Sequence, residues 1–170
     1  MRKFLFVLPF ILQAGISRAQ ISGSFVAMEY RGMSNLIYRV YITPDRLIGI
    51  RVNGYISVKN GFGIGYVVAD NELNDPEAYV NRRTEANYHG IDIQSDTILQ
   101  LDSQNFIIRK GEIKRLYHTD KKKFGMGYYP YSGRIILQCI KTTQSKRPNR
   151  DFVLVGKQNW EDLLKLMEIK

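Results

Sequence analysis

The side chains that could do chemistry are few and scattered. His89 and His118 are the chain's 2 histidines, with Asp92 three residues after the first and Asp120 two after the second. Neither spacing is that of a metal site. Asp70, Glu72, Asp75 and Glu77 cluster, but without the glycine and ligand spacing of a calcium loop, so they read as a solvated helix start. Residues 61–65 read Gly-Phe-Gly-Ile-Gly. That run has neither nucleotide-binding spacing, no lysine follows at the phosphate-loop position, and strand-like Tyr66, Val67 and Val68 come next. A flexible hairpin loop accounts for it. No nucleophile elbow is present. Cys139 is the single cysteine; it sits in an apolar run as an inert, buried thiol and rules out an intramolecular disulfide. The sequence therefore assigns no catalytic residue, no cofactor and no metal ligand, and an unrecognised hydrolase stands third among three functional readings.

One stretch offers recognition chemistry instead. Lys121, Lys122 and Lys123 are consecutive, and Phe124, Tyr128, Tyr129 and Tyr131 follow, with Arg134 just beyond. Adjacent lysines attract anionic surfaces, and amphipathic rings are favoured at a lipid interface. Arg109, Lys114, Arg115, Lys146, Arg147 and Arg150 are expected to add to the same potential. Charge is unevenly spread along the chain, whose net charge is +9: residues 105–157 hold 13 basic and 3 acidic residues, whereas 20–104 hold 7 and 10. A basic face of this kind suits an anionic partner. The first expectation is thus a non-enzymatic binding module for an anionic membrane surface or polymer. The second is a structural or protein–protein module whose tyrosine-rich sheet edges pair with a partner chain. Lysines beside aromatic rings also suit nucleic acid, but an export signal argues against that partner.

That signal is residues 1–19. Arg2 and Lys3 precede an apolar run over 4–16, and the small residues Ser17 and Ala19 lie before Gln20. This is a secretory pattern with cleavage after Ala19, implying a secreted or periplasmic protein. The run is short for a bilayer span, and no cysteine follows it to carry a lipid anchor. Residues 20–170 amount to one domain, long enough for a real core.

Elements must position these residues. Residues 20–30, 36–42 and 47–52 alternate as strands, joined by turn chemistry at 31–35 and at Thr43-Pro44-Asp45-Arg46, so an antiparallel meander is expected. Asn74, Asp75, Pro76 and Glu77 start a helix predicted to run to about Tyr88 across the surface, with only Tyr79, Val80 and Ala86 as its apolar side. Runs at 91–101, 105–109 and 112–117 follow, separated by turns. Residues 134–141 and 152–155 then form a hairpin, closed by a helix that Asn159 caps and that presents Trp160, Leu163, Leu164 and Met167 on one face. The fold class is mainly β (α+β): an antiparallel curved sheet or split barrel closed by a C-terminal amphipathic helix, plus one surface helix near 75–88.

The order of these elements resembles a bacterial-type pleckstrin-homology or GRAM-like domain. The residues that carry the resemblance are the hairpin Tyr41-Ile42-Thr43-Pro44-Asp45-Arg46-Leu47-Ile48-Gly49-Ile50, the later pair Asn105-Phe106-Ile107-Ile108 and Gly111-Glu112-Ile113-Lys114-Arg115-Leu116, and the final hairpin and helix. Residues 53–96 are a large insertion relative to such a domain. The resemblance implies a binding or scaffolding module with headgroup or peptide ligands and no catalysis; fold alone does not fix function.

Overall fold

A computed structural model describes residues 20–31, 34–54, 56–57, 66–123, 130–140 and 149–168. The expected signal segment, 1–19, lies outside them. The chain is mainly β, and its framework is an antiparallel sheet of 7 strands. β1 (Gly23–Arg31), β2 (Ser34–Ile42) and β3 (Arg46–Gly54) form the expected meander, with Gly23 opposite Ile42 and Ile42 opposite Leu47. The Thr43 hydroxyl fixes the β2–β3 turn: it donates to Asp45 Oδ1 and accepts from Arg46 N at 2.9 and 3.1 Å. β4 (Ile56–Ser57) and β5 (Tyr66–Val67) make a separate small parallel pair. β6 (Phe106–Arg109), β7 (Ile113–Thr119), β8 (Tyr131–Cys139) and β9 (Arg150–Val155) complete the main sheet, in the order β6-β3-β2-β1-β9-β8-β7.

The order has a geometric consequence. β6 and β7 are the two edges, yet only the 3-10 turn Lys110–Glu112 separates them in the chain. Flat, seven strands would set their edges about 29 Å apart, at about 4.8 Å per spacing. The chain from Arg109 to Ile113 reaches at most about 14 Å. The sheet must therefore roll until its edges approach, without closing, because β6 and β7 do not pair. One buried cluster draws side chains from all 7 strands, including Phe25, Tyr38, Leu47, Phe106, Ile113, Leu137 and Phe152, and so marks the concave side. The C-terminal helix (Trp160–Met167) adds Leu163 and Met167 to it and packs on β1, β7 and β8. Asn159 caps it as expected, accepting from Glu161 N and Asp162 N. Lys110, at the corner between the edges, donates through Nζ to Leu166 O at 2.6 Å.

The convex side is not bare. Val26, Met28, Ile37, Ile48, Ile50, Val52, Val153 and Val155 join Tyr79, Val80, Tyr88 and Ile98 in a second buried cluster. Strands β1, β3 and β9 are consequently apolar on both faces, the pattern of a covered sheet. The cover is the segment after β5, which corrects one expectation. No single helix spans 75–88: a 3-10 turn at Pro76–Tyr79, the α-helix α1 (Arg82–Glu85) and a second 3-10 turn at Ala86–Tyr88 take its place. Val80 is extended at φ −86°, and Asn81 restarts the chain by capping α1 while its own N–H donates to Val52 O on β3. The segment does lie across the surface, with most of its residues outside and Tyr79, Val80, Tyr88 and Ile98 buried against the sheet, and it is held down by the Arg39 guanidinium, which bonds Glu77 and Glu85 on either side of the break. The run at 91–101 is turns followed by α2 (Ile98–Leu101). The C-terminal helix is accordingly α3. Among the described residues no helix is long and apolar enough to cross a membrane.

Candidate functional site

Some of the basic residues singled out in the sequence, Arg115 and Arg134 with Lys121–Lys123 after them, lie on or just past the convex face of the β7–β8 pair. In β8, Ile135 and Leu137 point to the core, so Arg134 and Ile136 face outward. In β7, a register irregularity between Ile113 and Arg115 keeps both Ile113 and Leu116 on the core side and turns Arg115 and Tyr117 outward. There the Arg115 guanidinium lies 4.8 Å over the Tyr117 ring. Lys121 and Lys122 follow, both exposed, and neither ammonium has an ion-pair partner among the described residues.

The remaining predicted residues divide. Lys123 and Arg134 both bind Asp151 of β9: Lys123 Nζ donates to Oδ2 at 3.0 Å, and Arg134 Nε and Nη2 donate to Oδ1 and Oδ2 at 2.8 and 2.5 Å. Arg134 Nη1 also donates to Lys121 O at 2.9 Å, and Tyr131 donates its hydroxyl proton to Asp120 O at 3.0 Å. Asp151 thus ties the start of the basic loop to the sheet, and the loop's own backbone is pinned from two sides. Phe124, Tyr128 and Tyr129 lie outside the described residues, as do Lys146 and Arg147. Arg150 does not add to the surface potential: it is inside the rolled sheet, paired with Glu29 at 2.9 Å. Arg109 is exposed on β6, at the opposite edge of the sheet order.

Burial alone would push the Asp151 carboxyl up, but the hydrogen bonds from Arg134 and Lys123 outweigh it and hold it below the usual carboxylate range. A carboxyl depressed on folding stabilises the fold above its unfolded value of about 3.9, and that contribution disappears as pH falls through the lower folded value. Urea midpoints should therefore drop between about pH 5 and pH 2 more steeply for the native protein than for Asp151→Asn, by an amount on the order of 1 kcal/mol. Parallel pH profiles for the two proteins would disprove the coupling.

A second constellation, invisible in the sequence, lies where β8 meets α3. His118 stacks on Trp160 with ring centroids 4.0 Å apart and an interplanar angle of 5°. Its Nε2 is 3.1 Å from Ser132 O and 3.6 Å from Asp120 Oδ1. Gly133 is obligatory beneath it: its φ is +84°, and a β-carbon there would run into the His118 ring. An open cleft of about 410 Å³ is lined by Asp120, Tyr131, Ser132, Gly133, Gln158 and Trp160. Its serine and glutamine are already engaged. Ser132 Oγ donates to Gly156 O and accepts from Gln158 N, while the Gln158 amide accepts from Val26 N and donates to Val26 O and Val155 O. Gln158 acts as a surrogate strand residue beside β1. The serine hydroxyl and the imidazole do not bond each other, so the cleft holds no nucleophile–base pair of the kind acyl transfer requires. His89 is exposed, and among the described residues no group of three or more His, Cys, Asp or Glu could hold a metal ion. Burial raises the Cys139 thiol above its ordinary pKa, which favours the unreactive protonated form.

No protein-family model matches this chain, and neither the curated proteins nor the solved structures yield a match.

Proposed function

We propose that the chain is a non-enzymatic binding module that recognises an anionic surface through the Lys121–Lys122 end of the β7–β8 pair. The observation that carries this reading is the division of labour around Asp151. Lys123 and Arg134 are spent on that carboxylate, which anchors the loop, and two exposed lysines without ion-pair partners among the described residues remain just past the end of the strand that carries the Arg115–Tyr117 stack. Lysine is a compact point charge and suits delocalised attraction to a charged surface better than bidentate readout. The pleckstrin-homology-like resemblance and the exported location belong to the same proposal.

The test is co-sedimentation of the purified protein with phosphatidylglycerol and phosphatidylcholine vesicles at 0.05 and about 0.3 M salt, where screening lengths differ roughly twofold. Binding should be confined to the anionic vesicles and weaken with salt. The Lys121→Ala/Lys122→Ala variant should lose most of it, since each basic residue near an anionic leaflet contributes about 1 kcal/mol. Equal binding by the variant, or no binding at low salt, rejects the reading.

A further inference from the structure

β7 is an edge strand whose outer backbone pairs with no other strand among the described residues. It pairs with β8 alone, and β6, the next strand round the roll, does not bond to it. Among the described residues no main chain outside β8 hydrogen-bonds to the backbone of residues 114–119, although α3 packs beside the strand. The free edge is 7 residues long, about 23 Å at strand rise. Beside it, between β7 and α3, runs a groove of about 160 Å³ whose floor is Ile113, Leu116, Leu164 and Met167. At about 30 Å³ per water, that is room for about five waters or one apolar side chain. Lys114 and Arg115 form its rim, with Glu168 at its far end.

We propose that this edge takes up an extended acidic peptide as an added strand. Strand addition satisfies the unpaired N–H and C=O groups of β7, and alternation in the incoming segment sends its side chains to two different places. Those on one side meet the apolar groove. Those on the other face the Arg115–Tyr117 stack, with Lys121 and Lys122 following past the strand's end. Charge selects the occupant. A second copy of this chain, paired edge to edge about a two-fold axis, would put two sets of Lys114 and Arg115 on one 7-residue ladder, and like charges gathered on so short a pair disfavour it. A segment alternating carboxylate and aliphatic residues meets both sides. Lysines also serve to keep bare edges apart, and the experiment separates that role from recognition.

The site does not rest on the vesicle-binding reading: vesicle binding requires Lys121 and Lys122 but not the β7 backbone. The probe is a labelled peptide alternating glutamate and leucine over nine residues, titrated into the unaltered protein by fluorescence anisotropy at low salt. Two control peptides go with it: one carries lysine for each glutamate, and the other has the leucines replaced by proline, which cannot donate to a ladder. The acidic peptide is expected to bind at least tenfold more tightly than either control, and Arg115→Glu, checked for native circular dichroism, is expected to weaken it about tenfold. Binding of the proline peptide within threefold of the leucine peptide would reduce the attraction to charge alone. Equal binding of the lysine peptide, absence of binding, or concentration-dependent dimerisation that excludes the peptide would each overturn the proposal. The peptide comparisons stand even where the variant fails to fold.

Discussion

Glu29→Gln is expected to destabilise the protein by about 3–5 kcal/mol, the cost of leaving one half of a buried ion pair. Glu29 and Arg150 are bonded at 2.9 Å with side-chain exposures of 9% and 5%, on the concave side of the sheet. The guanidinium is held on its other face by aromatic rings: its carbon lies 4.0 Å over Phe106, which stacks on Phe152 at 5.7 Å and meets Tyr38 edge-on at 5.4 Å. Arg150 Nε has no hydrogen-bond partner among the described residues, so the cation already carries some desolvation cost. Removing the carboxylate's charge leaves that cation in an apolar interior. The double replacement Glu29→Leu/Arg150→Met removes both charges and should recover most of the loss, short of about 1–2 kcal/mol for the cation–aromatic contact. Urea unfolding of the two variants forms the check. A single-variant loss under 1 kcal/mol would show that water reaches the pair.

The second large effect belongs to Gly156, at the end of β9. Its φ is +67°, and a β-carbon there would lie 2.8 Å from Asn74 O and 2.9 Å from Pro76 N. Those are backbone atoms of the layer that covers the convex face, and Lys157 N donates to Asn74 O beside them at 2.9 Å. Gly156→Ala should cost about 3 kcal/mol, roughly 1–2 for the left-handed backbone and a further 1–3 for overpacking. Gly90 provides the control. Its φ is +77°, with nothing within 4 Å of the added carbon, so Gly90→Ala should show the backbone cost alone. Hydrogen exchange should then locate the difference: amides of residues 74–80 lose protection in Gly156→Ala and keep it in Gly90→Ala. Equal destabilisation by both substitutions would mean that the layer yields without cost.

The two cases mark where sequence reading reached and where it stopped. The meander, the β8–β9 hairpin and the Asn159-capped helix were legible because their signals are local: alternation, turn residues and a cap within a few positions. The helix start at Asp75–Pro76 was legible too, since Asp75 does accept from Glu77 N. Its continuation was not, because the break at Val80 depends on a bond from Asn81 to Val52, 29 positions away. The covered convex face left one trace, strands apolar in both phases, but nothing in the chain says which segment covers them. The site divides the same way. Exposure of Lys121 and Lys122 follows from a lysine run in a turn, whereas the capture of Lys123 and Arg134 by Asp151 and the burial of Arg150 are set by pairings across 28, 17 and 121 positions.

The pairing of β1 with β9 also sets a schedule for biosynthesis. Residues 32–149, 118 of them, must be made before the ninth strand can dock between the first and the eighth. At about 5–20 residues per second the ribosome needs roughly 6–24 s for that stretch. Through this interval the nascent meander offers the flank of Phe25–Met28, an apolar row with unsatisfied amides, to any neighbouring chain. A holdase that shields the N-terminal hairpin until the last strand emerges would therefore raise yield more than one acting on the finished protein.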